Sequence, residues 1–142
     1  MEIDRINDKI EQIEKYLSEL YEFFPYELEI YLRDFGKKAA SERYFEKVVE
    51  AIVDLVFLVI KEKKLKIPED EESSFIILAD NNIISLELAK RLKDAKGMRN
   101  FIAHEYGEID DVKVFNAINE QLEADVKEFI NSIKVILKKR KE

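Results

Sequence analysis

The chain has 142 residues, of which 46% are hydrophobic and 39% charged, so it can bury one core beneath a densely charged surface. Three glycines and two prolines are too few for a turn-rich β fold, and the absence of cysteine excludes disulfides, thiolate zinc sites and cysteine nucleophiles. The net charge of −7 argues against a protein that coats nucleic acid by charge alone, but not against a local phosphate site.

Two further features predict a cytoplasmic protein that does not enter a membrane. The opening stretch Met1–Arg5 lacks the basic start and apolar run of a signal peptide. The longest apolar run, Leu55–Ile60, is far shorter than the roughly 20 residues that a membrane-spanning helix needs. Repeats and low-complexity segments are absent from the sequence, so we expect a single domain over residues 1–142.

The first predicted element is an amphipathic helix, because apolar residues recur at steps of three and four. These residues are Ile3, Ile6, Ile10, Ile13, Leu17 and Leu20. Pro25 should end this helix near Phe23, since proline restricts the residue before it. A short helical piece from Tyr26 to Phe35 should then lead to Gly36.

The most apolar segment predicts a central helix from Ser41 to about Lys63. A helix that is apolar on nearly every side belongs in the middle of a bundle. The β-branched run from Ala51 to Ile60 is also typical of a strand, but it continues a helical pattern on its N-terminal side. We therefore predict helix throughout.

The remaining sequence predicts two more long helices. The segment Leu65–Ser74 is acidic and is predicted to form a loop, and Phe75–Ala79 is predicted to form one short turn. Ser85 should begin a helix that runs up to His104, and Asp110 and Asp111 should begin the last one. The expected inner faces consist of Leu86, Ala89, Leu92 and Met98 in the first of these, and of Phe115, Ile118, Leu122, Val126, Phe129, Ile133 and Ile136 in the second. The predicted fold is all-α: an antiparallel bundle of four main helices plus short helical pieces.

One segment, Met98–Gly107, combines residues suited to chemistry. It holds the only histidine of the chain, His104, with Arg99 five positions before it and Tyr106 two positions after it. Five residues along a helix advance about 500°, which leaves Arg99 and His104 about 140° apart. For both to meet one phosphate, the helix must loosen or end between them, or a second subunit must complete the site.

Cleavage of an RNA phosphodiester requires a base for the 2′-hydroxyl proton, an acid for the leaving 5′-oxygen and a cation for the charged transition state. One histidine does not easily perform both proton transfers at once, whereas two copies related by a two-fold axis supply two. A catalytic interpretation of Arg99 and His104 therefore predicts a homodimer. The structural alternative is that His104 caps the helix while Arg99 pairs with Glu105 or Glu108.

Asp54 is the only charged residue between Ala51 and Ile60. A buried carboxylate is costly unless it has a partner. Asp54 either supports Arg99 or His104 from a neighbouring helix or makes a purely structural contact.

The motif resembles the signature of HEPN-domain proteins. Its residues are Arg99-Asn100-Phe101-Ile102-Ala103-His104-Glu105-Tyr106, with Gly107 and Ile109-Asp110 behind them. The His-x-Tyr ending resembles specifically the HepT-type toxin branch of that superfamily. Similarity extends over most of the chain, through Glu42-Arg43-Tyr44-Phe45, Glu50-Ala51, Asp54-Leu55 and Phe75-Ile76-Ile77-Leu78-Ala79 to Ile83-Ile84.

This resemblance implies a HEPN-like helical bundle that dimerises so that both motifs face one cleft. It implies a metal-independent endoribonuclease toxin without a cofactor, acting on tRNA or mRNA. Arg99 would bind the scissile phosphate, His104 would transfer protons, and Asn100 would orient the backbone or the imidazole. A cognate minimal nucleotidyltransferase antitoxin would add AMP to the motif tyrosine, Tyr106.

Two other functions fit parts of the sequence. The acidic net charge favours a non-catalytic partner subunit that binds nucleotide or substrate for a minimal nucleotidyltransferase. The combination of Arg99, His104 and Tyr106 favours catalysis. A purely structural helical dimer would be indifferent to the loss of Arg99.

Overall fold

A bundle of α-helices forms the fold in this computed structural model, which describes residues 2–104 and 110–141 and has no strand within those ranges. The helices are α1 (Glu2–Phe23), α2 (Leu28–Arg33), α3 (Phe35–Glu62), α4 (Glu71–Asp80), α5 (Leu86–His104), α6 (Asp111–Asn116) and α7 (Glu123–Lys141). The segment Ala117–Leu122 is π-helical, and we call α6, this segment and α7 together the C-terminal helix. The predicted all-α class is confirmed.

Helix α1 follows its sequence pattern. From Ile6 onward the predicted apolar residues lie in the core, whereas Ile3 is only partly buried. The helix ends at Phe23, two residues before Pro25, as predicted. The buried positions are Ile6, Ile10, Ile13, Leu17 and Leu20.

The central helix α3 starts earlier than the sequence predicts. It begins at Phe35 rather than Ser41, because the Asp34 carboxylate accepts a hydrogen bond from the Lys37 amide at 3.0 Å and so caps the first turn. Gly36 lies inside that first turn. The short piece before it is α2, which is confined to Leu28–Arg33.

Helix α3 is the centre of the bundle and packs against α1, α2, α4 and α5. Its buried side chains point to several sides of the helix, as expected for a central helix. They include Phe45, Val48, Val49, Ile52, Leu55, Val56, Val59 and Ile60.

The predicted loop Leu65–Ser74 is wrong in its second half, because helix α4 begins at Glu71. The helix spans ten residues, Glu71–Asp80, where the sequence suggested a loop and one short turn. Asp70 and Ser73 form a reciprocal capping box, in which the Asp70 carboxylate accepts the Ser73 amide at 2.7 Å. Two of the acidic residues that suggested a loop, Glu71 and Glu72, occupy the first turn, where the helix dipole favours negative charge.

Helix α5 begins where predicted, because the Ser85 hydroxyl accepts a hydrogen bond from the Leu88 amide at 3.0 Å. Its inner face includes Leu88, Ala89 and Leu92. The expectation for Leu86 is wrong: this first residue of the helix is exposed, and Leu88 takes its place in the core, one turn before Leu92.

The C-terminal helix starts at Asp111, capped by the Asp110 carboxylate, and its predicted apolar face is buried from Phe115 to Ile133. It is not uniformly α-helical. The π-helical segment carries Ile118 and Leu122, and these two residues and Val126 of α7 all lie in the core. The Tyr21 hydroxyl donates to the Ile118 carbonyl oxygen at 2.5 Å and ties this segment to α1.

Pair contacts establish the direction of the helices. Lys9 pairs with Asp54 and the Tyr16 ring packs on Tyr44, so α1 and α3 run antiparallel. The pairs Tyr21 with Ile118 and Glu14 with Lys134 show that α1 and the C-terminal helix also run antiparallel. Near its start α5 contacts the C-terminal helix through Arg91 and Asp125, and near its end Met98 and Phe101 share a groove with Lys113 and Val114, so these two helices are antiparallel as well. The predicted antiparallel bundle of four main helices is confirmed. Within residues 2–104 and 110–141, none of the helices combines the length and the apolar character that a membrane span requires.

Replacing a buried ring of α3 should destabilise the bundle strongly. Phe45 is 1% exposed, and Phe45→Ala should reduce the free energy of unfolding by about 3–5 kcal/mol through lost burial and a cavity. Phe57 on the same helix is 37% exposed, and Phe57→Ala should cost less than half as much. Urea unfolding followed by circular dichroism measures both, and equal losses would contradict this arrangement of the core.

Candidate functional site

The part of the motif from Arg99 to His104 lies on the last two turns of α5. This helix continues without interruption to His104, so it neither loosens nor ends between Arg99 and His104. In a regular helix the two residues are about 140° apart and separated by about 7.5 Å along the axis. A single subunit therefore directs the guanidinium and the imidazole to different sides of α5.

Arg99 faces α3. Its Nη2 donates to Glu50 Oε1 at 2.6 Å, and its Nη1 donates to Asn100 Oδ1 at 2.9 Å. The Arg99 side chain is 24% exposed, so the guanidinium lies partly buried between the two helices. Asn100 thus contacts the arginine of the motif. The alternative partners weighed for Arg99, Glu105 and Glu108, lie outside the described residues.

Asp54 does not occupy the environment that the sequence predicts. Its side chain is 63% exposed and pairs with Lys9 at 3.4 Å, because this position of α3 faces the groove beside α1. The prediction of a buried carboxylate is therefore wrong. Glu50, one turn earlier on α3, is the carboxylate that binds Arg99. Both carboxylates border one recess of about 80 Å³ together with Arg99.

Sequence reasoning missed Glu50 as a site residue because it stands at the start of the apolar run, where a charge needs no special explanation. Asp54 lies inside the apolar run, where a charge is unusual, so the sequence indicated Asp54 as the candidate instead. The available signal was the helical step of four between the two carboxylates, which places them on the same side of α3.

Lys96 is a second residue that the sequence did not single out. It is one turn before Arg99, is only 5% exposed, and its Nζ donates to Glu72 at 2.9 Å and lies 3.4 Å from Glu71. The hydrogen bond from Lys96 lowers the pKa of the Glu72 carboxyl, since it favours the charged form. These contacts hold the start of α4 against α5 beside the recess. A lysine on an amphipathic helix gives no sequence signal for burial.

His104 is the last residue of α5, and its side chain is exposed. Phe101, one turn earlier on the same side of the helix, is also partly exposed and borders a groove of about 320 Å³ between α5 and α6. Ile102 lies in the core. Tyr106 and Gly107 belong to Glu105–Ile109, outside the described residues.

The chemistry available here is a guanidinium that can bind an anionic oxygen and an imidazole that can accept or donate a proton. Within the described ranges, no group of three or more His, Asp or Glu side chains is arranged to hold a metal ion.

These features define a class of protein: an antiparallel helical bundle with an Arg-x₄-His motif at the end of its third long helix. The sequence profile of the family described as Ribonuclease HepT-like matches residues 13–133 of this chain. The chain belongs to the HepT-like ribonuclease family and is a ribonuclease. The resemblance of the motif to the HepT branch of HEPN proteins is confirmed.

Individual relatives agree with this assignment. A tRNA nuclease HepT from Aphanizomenon flos-aquae is 31% identical over 118 residues, which cover 83% of this chain and 80% of the relative. An mRNA nuclease HepT from Shewanella oneidensis is 31% identical over 102 residues, covering 72% of this chain and 76% of the relative.

Solved structures share the fold. A tri-AMPylated HEPN toxin from Shewanella oneidensis, in complex with an MNT antitoxin, superimposes with a TM-score of 0.85 at 28% identity, covering 92% of this chain and 96% of the toxin. A toxin–antitoxin structure with AMP-PNP gives a TM-score of 0.86 at 27% identity, covering 93% of this chain and 98% of the matched chain.

The Lys96 contacts predict an acid-sensitive contribution to stability. The Glu72 pKa lies below its ordinary value of 4.5 in the folded protein, so the stabilisation is complete above pH 4.5 and is lost as the pH falls through the lowered folded-state pKa. Lys96→Met should reduce the free energy of unfolding at pH 7 by about 1 kcal/mol, a modest value because both carboxylates are half exposed.

Chemical unfolding of the wild type and Lys96→Met at pH 7 and pH 3 measures this difference. It should shrink at pH 3, whereas Lys90→Met, an exposed change on the same helix, should alter stability little at either pH. A difference that is the same at both pH values would contradict the ion-pair interpretation.

Proposed function

We propose that this chain acts as a single HEPN-like domain of a toxin–antitoxin pair. In this proposal it is an endoribonuclease toxin that cleaves RNA without a metal ion, at a composite site formed by two copies of the chain. Arg99 and His104 supply the chemistry. The observation that carries the proposal is the uninterrupted helix from Arg99 to His104, which separates the only histidine from the arginine within one subunit.

A two-fold dimer resolves this separation. Two copies bring two guanidiniums and two imidazoles to one cleft, so one His104 can take the 2′-hydroxyl proton while the other donates a proton to the leaving 5′-oxygen. The exposed Phe101 beside His104 supports an interface on this side of α5, because a large apolar side chain there is available for burial by a partner.

Arg99 is suited to stabilise the phosphate as negative charge builds up on it. Each of its Nη atoms carries two hydrogens, and the contacts with Glu50 and Asn100 use one hydrogen on each. The remaining donors can bind phosphate oxygens, an interaction that strengthens when the transition state gains charge. Asn100 supports the arginine from the adjacent position, and Asp54 borders the same recess as a supporting residue.

The substrate is RNA, with tRNA and mRNA as the two candidate classes, since the relatives are named as nucleases of one or the other. The local cation at Arg99 accounts for phosphate binding by a chain whose net charge is −7. An RNA substrate and a partner that consumes ATP place the pair in the cytoplasm.

The proposed partner is a minimal nucleotidyltransferase antitoxin that adds AMP to Tyr106. Support comes from the AMPylated relative in complex with an MNT antitoxin. Tyr106 follows His104 by two residues, so each added AMP would bring a negative charge and a bulky nucleotide to the cleft. The modification would occupy Arg99 and exclude RNA.

Removing either motif residue should eliminate most cleavage of RNA. Arg99→Ala and His104→Ala should each reduce kcat about 100-fold or more, because they remove transition-state charge stabilisation and proton transfer. Arg91→Ala, a matched change on the same helix that breaks only the contacts with Asp125 and Glu128, should retain activity. Gel assays with purified tRNA and mRNA measure the rates, and activity in Arg99→Ala at the wild-type level would refute the proposal.

Subunit mixing tests the composite site. If both copies of His104 are required, an equal mixture of wild-type and His104→Ala subunits should show about one quarter of the wild-type activity after exchange, because only all-wild-type dimers work. Activity of about one half, or a monomeric protein in sedimentation, would show that each subunit acts alone.

Modification at Tyr106 is tested by mass spectrometry. Incubation with ATP and the cognate nucleotidyltransferase should add AMP units to the wild type and abolish its cleavage of RNA, because the added phosphates compete for Arg99. Tyr106→Phe should gain no mass, whereas Tyr26→Phe, which removes another exposed phenol, should be modified normally. Mass added to Tyr106→Phe would place the modification elsewhere.

A further inference from the structure

We infer that Glu50 is a positioning residue for catalysis, which fixes the guanidinium of Arg99 in the orientation that receives the scissile phosphate. The inference rests on the proposed function, because it assigns a role to Glu50 through Arg99. It concerns a residue on α3, outside the motif and 49 positions away from the arginine along the chain.

Among the described residues, Glu50 is the hydrogen-bond partner that holds Arg99 from another helix. Asn100 is the next residue on α5 and moves with Arg99, so its hydrogen bond cannot fix the arginine relative to the rest of the bundle. Arg99 Nε is buried and has no hydrogen-bond partner among the described residues. The 2.6 Å contact between Nη2 and Glu50 Oε1 therefore determines where the guanidinium lies relative to α3.

Arg43 also faces Glu50, but its contact is much longer than that of Arg99. Arg43 Nη1 lies 4.0 Å from Glu50 Oε1, beyond hydrogen-bonding distance, and its side chain is largely exposed. Arg43 lies nearer to Glu46, at 3.5 Å. Glu46 is thus the natural control for Glu50: both are glutamates of α3 close to Arg43, and only Glu50 binds Arg99.

Rigidity explains why this contact matters for catalysis. An arginine side chain is long, and ordering it during the reaction costs conformational entropy unless a partner holds it beforehand. Glu50 is anchored on the central helix, so a charge-assisted hydrogen bond from it preorganises the guanidinium. The same negative charge repels the phosphate of bound RNA, which weakens ground-state binding.

These opposing effects give a specific kinetic pattern. Glu50→Gln keeps the shape of the side chain but removes its charge, so kcat should fall about tenfold or more while KM for RNA stays equal or decreases. Glu50→Asp, which retains the charge but has a shorter reach, should keep more activity than Glu50→Gln. Glu46→Gln should leave kcat within about twofold of the wild type.

A double-mutant cycle with Arg99→Ala separates positioning from structure. If Glu50 acts through Arg99, Glu50→Gln should cause no further loss of kcat in the Arg99→Ala background. Wild-type activity in Arg99→Ala would refute the proposed function itself. Loss of activity in Arg99→Ala with an unchanged kcat in Glu50→Gln would refute this inference alone.

Nitrogen-15 NMR of Arg side chains tests positioning without an activity assay. The Arg99 Nε–H signal, assigned by its absence in Arg99→Lys, should show restricted motion in the wild type and in Glu46→Gln, and increased motion in Glu50→Gln. Urea unfolding of each variant confirms that the fold persists. An equally ordered Arg99 signal in folded Glu50→Gln would overturn the inference.

Discussion

Helix α3 is apolar on nearly all sides, and water can be excluded from it only if several helices pack around it. Helices α1, α2, α4 and α5 supply this cover, with the C-terminal helix closing the bundle between α1 and α5. The burial of α3 therefore determines where α5 lies. Because α5 packs along α3, its last turns are brought beside Glu50, and the motif arginine gains a partner that is distant in sequence.

Helical phase is the second constraint on the site. The motif spacing of five residues does not return to the same face of an α-helix, and α5 has no break that would change this. Arg99 is therefore directed toward α3, while the His104 side chain is exposed at the end of the helix. The composite site that we propose between two copies of the chain would use this separation, because each copy would present its imidazole outward to the other.

The charges around Arg99 bear on how an acidic protein would present the phosphate-binding site that we propose. Carboxylates outnumber cations overall, yet those near the motif contact specific cations: Glu50 binds Arg99, Glu71 and Glu72 bind Lys96, and Asp54 binds Lys9. Such pairs cost little when each charge has a partner and partial access to water. The ion pairs around Arg99, rather than the net charge of the chain, would therefore determine the electrostatic environment of a phosphate at the proposed site.

The sequence alone determined the features that depend on near neighbours. Pro25 ended α1 near Phe23, Ser85 began α5, and apolar steps of three and four marked the faces of the long helices, because these signals act within one or two turns. The motif residues and the family were also readable from the chain itself. The sequence pattern did not mark the capping residues Asp34 and Asp70, because no regular apolar spacing follows them directly. The predicted starts of α3 and α4 were therefore too late in the chain.

Only the tertiary structure decided that Glu50 rather than Asp54 binds Arg99 and that Lys96 is buried. These contacts join residues far apart in sequence and depend on how α5 docks on α3 and α4.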